Sequence, residues 1–151
     1  VCYIEKKVVL KKARRCRVLL RVEQLDAWGG FDMFREMRRK NQKLPMEDCA
    51  ALLDAGTSGV LALHGDDGYP YAVPLSYVYD GSKLYFHCGK TGHKLDAVKR
   101  NPRASFCVVG QDQVVSEEYT TYFRSVILFG TVRILEEAEE KRAAIEKLAR
   151  R

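Results

Sequence analysis

The sequence predicts a mainly β fold, a small antiparallel barrel with helices packed on its outside. Three observations predict it. Short stretches rich in Val, Tyr and Phe are joined by tight turns, of which Asp80-Gly81 is a strong hairpin signal. Helical patterns are too few and too irregularly placed for the strand–helix alternation of a doubly wound parallel sheet. Pro70, Pro74 and Gly130 fall inside strand-like stretches, where a curved sheet kinks or presents an edge.

Each element follows from local signals. Leu44-Pro45-Met46-Glu47-Asp48 reads as a helix start, with Pro in the first turn and acids at the positive end of the helix dipole. Cys49, Leu52 and Leu53 give this helix an apolar stripe, and Gly56 stops it. Residues 59–64 form a short apolar strand, and Asp66-Asp67-Gly68 turns the chain into a second strand over 69–79. After Asp80-Gly81 the returning strand is 83–88. The loop Gly89-Lys90-Thr91-Gly92 leads into a helix from His93 to Asn101, ended by Pro102. Residues 103–109 are a further strand, 110–118 a polar loop without periodicity, and 120–135 a long β-rich stretch with a bend expected at Gly130. The stretch 136–151 is a helix with acids early and bases late, as the dipole favours.

A chain of 151 residues suits one domain and can bury roughly 70% of its unfolded surface. With 46% hydrophobic and 30% charged residues it is neither disordered, collagen-like nor coiled coil. No apolar run reaches the ~18 residues of a membrane span, so a soluble protein is expected. Five cysteines at 2, 16, 49, 88 and 107 lack a CxxC pair, which points away from a disulfide framework or zinc site and toward a reducing cytoplasm. The net charge of +6 is unevenly placed: residues 1–32 hold eight Lys/Arg against four Asp/Glu, leaving the rest nearly neutral. Residues 1–32 are therefore expected to be a basic extension, with the domain at 33–151 and a natural start at Met33 or Met37. A targeting or membrane-surface helix and a nucleic-acid arm are the alternatives for this leader; the body offers no matching basic stripe for the latter.

Few residue patterns carry chemistry by themselves. Gly89-Lys90-Thr91 lacks the glycine of a P-loop, since Leu occupies position 84. What remains is a glycine loop opening a helix, with Lys90, His93 and Lys94 around it: a site for one phosphate, or a solvated helix start with routine lysines. His64, His87 and His93 have no metal-ligand spacing. Cys88 points to the opposite strand face from His87, so no Cys-His pair is formed. Tyr71, Tyr77, Tyr79, Tyr85 and Phe86 suit packing, or a pocket for a flat ring.

Five pieces in order carry a resemblance: Tyr71-Ala72-Val73-Pro74-Leu75-Ser76-Tyr77, Leu84-Tyr85-Phe86-His87, Gly92-His93-Lys94-Leu95, Asn101-Pro102-Arg103, and residues 123–130, Phe-Arg-Ser-Val-Ile-Leu-Phe-Gly. Together they resemble the pyridoxamine 5′-phosphate oxidase-like FMN-binding split barrels, in particular the 5-nitroimidazole resistance (Nim) type, over about residues 34–150. Met37-Arg38-Arg39-Lys40 looks like that branch's usual opening. The resemblance implies a split antiparallel β-barrel and a homodimer with FMN in grooves between protomers. Val73, Pro74, Leu75 and Ser76 would line the isoalloxazine ring, and Gly92, His93 and Lys94 would hold the phosphate. Arg124, Ser125 and Val126 would reach the FMN from the partner strand. His87 would lie beside the flavin as the catalytic residue, orienting or protonating a small electron acceptor such as a nitroimidazole. No metal is implied. The resemblance also implies a loop and closing strand after the last helix, which this chain lacks, so an open strand edge is expected. A flavin- or haem-binding module without a dedicated reaction is the second reading.

Overall fold

A computed structural model describes residues 38–149 in full, together with the backbone of Glu5–Lys6 and Val18–Glu23. The boundary expected near residue 32 and the candidate starts Met33 and Met37 lie outside the described residues. In chain order the elements are β1 (Glu5–Lys6), β2 (Val18–Glu23), α1 (Met46–Ala55), β3 (Ser58–His64), β4 (Pro70–Ser76), β5 (Val78–Tyr79), β6 (Lys83–Cys88), α2 (His93–Arg100), β7 (Arg103–Val115), β8 (Thr120–Leu135) and α3 (Ala138–Ala149). One sheet runs β1-β6-β2-β8-β7-β3-β4, with β5 paired to β6; among the described pairs all are antiparallel except β1 with β6. The stretch 18–23, read in sequence only as an apolar run, pairs with β6 on one side and β8 on the other.

The interior is set by alternation. Leu61 and Leu63 of β3, Leu84 and Phe86 of β6, Phe106 and Val108 of β7, and Val126 and Leu128 of β8 are buried. The Phe86 and Phe106 rings lie parallel with centroids 6.5 Å apart, and Tyr77 meets Phe106 edge-on at 5.3 Å. Helices close the barrel with short apolar faces: Cys49 and Leu53 from α1, Leu95 and Val98 from α2, Ala144 and Leu148 from α3. These pairs recur at i, i+3 or i, i+4, the spacing that puts two side chains on one helical face.

Three expectations are corrected. Residues 110–118 are not a loop: β7 runs to Val115, turns at Ser116–Glu118, and pairs with β8 through Val115 and Thr120. The strands there form a two-stranded ribbon with both faces exposed, so no hydrophobic alternation marks it in the sequence. The irregularity of the sheet also sits at Gly110, where the register slips between Val109 and Gln111; Gly130 pairs in register with Ala104. A Cβ at Gly110 would come 2.7 Å from Leu52 Cγ, so α1 packs closely on the slip. The strand expected over 69–79 is interrupted at Tyr77, which turns inward and donates its hydroxyl to the Leu53 carbonyl at 2.8 Å.

Candidate functional site

β4 ends the sheet and has β3 as its partner among the described residues. The ladder shows which backbone groups it leaves open. Gly65 donates to the Tyr69 carbonyl at 2.9 Å and Tyr77 donates to the Thr57 carbonyl at 3.2 Å, both in the register that pairs Pro70 with His64 and Ser76 with Ser58. In an antiparallel ladder, residues that exchange bonds alternate with residues whose N–H and C=O point away. Pro70, Ala72, Pro74 and Ser76 therefore turn their backbone to the free edge. Both prolines stand where no ladder donor is lost, and the edge keeps the N–H of Ala72 and Ser76 with four outward carbonyls. Pro74 and Ser76 are exposed on one face, while Val73 and Leu75 lean on the core from the other.

α2 starts beside this strand. The ring of its first residue, His93, stacks on Tyr71 with centroids 4.1 Å apart, and its Nε2 is 3.3 Å from Asp66 Oδ2 in the β3–β4 turn. Arg100 at the other end of α2 pairs with the same carboxylate. The Arg100 hydrogen bond, with its charge and that of His93, holds the Asp66 carboxyl below its usual range. Gly92, at φ +121°, takes a backbone shape that favours glycine and caps the helix, accepting from Leu95 N–H at 2.9 Å. The N–H groups of His93 and Lys94 are left at the positive end of the helix dipole, with the Lys94 ammonium beside them. Burial pushes the Cys88 thiol up while the charge of Lys94 acts against it, which places Lys94 near the end of β6, where His87 is exposed.

The residues singled out in the sequence thus fall into two groups. Gly92–Lys94 stand beside β4, the strand of Val73–Ser76, through the Tyr71–His93 contact, and His87 is exposed near the end of β6, the strand that leads into this helix start. The His93 ring is held by Tyr71 and Asp66, so what it offers an anion is its backbone N–H. Arg124, Ser125 and Val126 lie on β8, three strands from β4 or roughly 14 Å across the sheet. Val126 is buried in the core, Ser125 is exposed, and Arg124 pairs with Asp48 of α1 at 2.7 Å. None of these three stands beside β4 within the chain. Asp48, Asp66 and Arg100 were not singled out in the sequence; their partners are 76 and 34 residues away, and no local pattern announces them.

The outer face of the sheet joins these groups. Pro74, Val60, Cys107 and Ile127 stand side by side across β4, β3, β7 and β8, followed by Ser76, Ser58, Val109 and Ser125. Val60, Val109, Val114, Phe123 and Ile127, five of the large exposed apolar side chains, all lie on this face. Contiguous exposed apolar surface of this kind marks a contact surface.

A family model for pyridoxamine 5′-phosphate oxidase matches residues 45–151. An uncharacterised protein of Rhizobium meliloti is 31% identical over 84 residues, 56% of this chain and 50% of that protein, so the chain spans half the length of this relative. Among solved structures, a candidate 5-nitroimidazole antibiotic resistance protein from Bacteroides thetaiotaomicron shares the fold at TM-score 0.63, with 24% identity over 72% of this chain and 66% of that one. An FAD- and heme-binding protein from Mycobacterium smegmatis gives TM-score 0.62 and 28% identity over 71% of this chain and 53% of that one. An FAD-binding protein from Mesorhizobium loti gives 0.55 and 29% over 71% and 75%.

Proposed function

Because the chain belongs to the pyridoxamine 5′-phosphate oxidase family and folds as a mainly β split barrel with flanking helices, we propose that it is a homodimeric FMN-dependent oxidoreductase. It would reduce a small acceptor such as a nitroimidazole. The observation that carries this reading is the meeting of an edge strand with outward backbone donors and acceptors and a helix start with Lys94, both on one flank. The outward carbonyl of Pro74 and N–H of Ser76 match the polar rim of a flavin ring. Val73 and Leu75 support that edge from behind. The open N–H groups of His93 and Lys94, with the Lys94 ammonium, suit a phosphate. Asp66, the carboxylate paired with His93 at this start, has its charge offset by Arg100.

Bound FMN would supply the redox chemistry, passing electrons to the acceptor. His87 would orient the acceptor and hold or deliver a proton at its imidazole. The apolar part of the outer face around Val60, Val109 and Ile127 would be covered by the second protomer, leaving the His64 end open and bringing its Ser125 and Arg124 toward the ligand on β4, with Asp48 fixing the Arg124 guanidinium. That the solved relatives include an FAD- and heme-binding protein favours one alternative, a cofactor-binding module without a dedicated reaction. The visible spectrum of the purified protein separates the cofactors. Turnover of a nitroaromatic by FMN-loaded protein then separates enzyme from carrier. Colourless protein that takes up no added FMN overturns the proposal.

A further inference from the structure

The outer face is not flat. At its His64 end lies a cleft of about 670 Å³, within the range of small-molecule sites. Its floor follows from the register: Ala72, Ala62, Ser105 and Phe129 stand in one row across four strands, and the small side chains of Ala62 and Ser105 leave a depression beside the larger Phe129. Tyr69, exposed on the β3–β4 turn, also lines the cleft. The next row holds the charge. Extending the β3–β7 register by two places sets His64 beside Arg103, and both line the cleft. Among the described residues neither side chain has an ion-pair or hydrogen-bond partner, and no Asp or Glu lines the cleft. An aromatic side chain beside a shallow floor of small residues, with a guanidinium at the rim that no carboxylate of the cleft offsets, complements one kind of ligand.

We propose that this cleft is a second binding site, for a planar aromatic molecule carrying an anionic group. The ring would lie over Ala62 and Ser105 beside Phe129, with its anion on Arg103 and His64. The cleft opens on the face of β4 that carries Pro70 and Ala72, whereas the α2 start assigned to the cofactor phosphate meets the strand through Tyr71, which alternates to the other face. Ser76 lies roughly 20 Å along the strand from Pro70. It does not depend on that assignment.

The test titrates the full chain calorimetrically with 2-naphthoate and with its neutral counterpart 2-naphthamide. The expected result is saturable naphthoate binding at one site per chain, with naphthamide at least tenfold weaker. Arg103→Gln should weaken naphthoate at least tenfold and leave naphthamide unchanged. Ala62→Leu, which fills the floor, should abolish both; since a floor variant can fail to fold, the exposed Arg103→Gln carries the decision. Lys94→Ala should have no effect. Equal affinities for the two probes, indifference to Arg103→Gln, loss on Lys94→Ala, or no saturable binding up to the solubility limit would each overturn the proposal.

Discussion

Tyr77 shows how a single buried side chain holds the site's scaffold. Its ring packs on Phe106 and its hydroxyl donates to the Leu53 carbonyl, tying the end of β4 to α1. Tyr77→Phe strands that buried acceptor and should cost about 1–2 kcal/mol in a denaturant melt, with the fold retained. Gly59 is as tightly placed, because a Cβ there would come 2.4 Å from Phe106 Cε1 and 2.7 Å from the Cys107 carbonyl. Neither neighbour can yield, one being core and the other backbone. Gly59→Ala should therefore destabilise by about 1–3 kcal/mol. At the proposed cofactor site, Lys94→Ala should weaken FMN retention in an equilibrium titration more than it slows saturated turnover. His87→Ala should keep the bound flavin and lose reductase activity. An unchanged rate in that variant would remove His87 from the mechanism.

Among elements, the link between α3 and the β5–β6 hairpin carries a pH dependence. Lys147 pairs with Asp80 and lies over the Tyr85 ring, 5.0 Å from its centroid. Partial burial pushes the Asp80 carboxyl up, but hydrogen bonds from Lys147 and from the N–H groups of Lys83 and Ser82 outweigh it and bring it down to about 2 from 3.8. A carboxyl lowered by folding stabilises the fold above its unfolded value and loses that contribution as pH falls toward the folded one. Stability should thus drop by about 1 kcal/mol between roughly pH 5 and pH 2 on this account, since solvent screens the half-exposed Lys147. Asp80→Asn should flatten that part of the curve in acid melts. The sequence reveals this hairpin plainly, since Asp80-Gly81 is a local turn signal, but not the Lys147 contact, which lies 67 residues away. The ribbon of β7 and β8 shows the converse. Its backbone pairing needs no apolar face, so a segment with no periodicity is a strand pair all the same.

At the scale of the whole molecule, the outer face and the division of the site residues between β4 and β8 belong to one question, the number of chains in the assembly. Ile127→Glu places a charge beside Val60 and Cys107 at the middle of that face without touching the core. Sedimentation should show a shift from dimer to monomer, and FMN affinity should fall with it, because Arg124 and Ser125 are then no longer supplied from a second copy. A variant that stays dimeric would move the interface elsewhere.

The sequence by itself determined most strand cores, the turns at Asp66–Gly68 and Asp80-Gly81 and the glycine that opens α2 at Gly92, because these rest on neighbours along the chain. The tertiary structure decided what faces what. It set Asp48 on Arg124, turned His93 to Tyr71 and Asp66, and aligned His64 with Arg103 over a floor of small residues. Such contacts depend on strand order and register, and shifting one strand by a single residue would send every side chain to the other face while leaving each local signal intact.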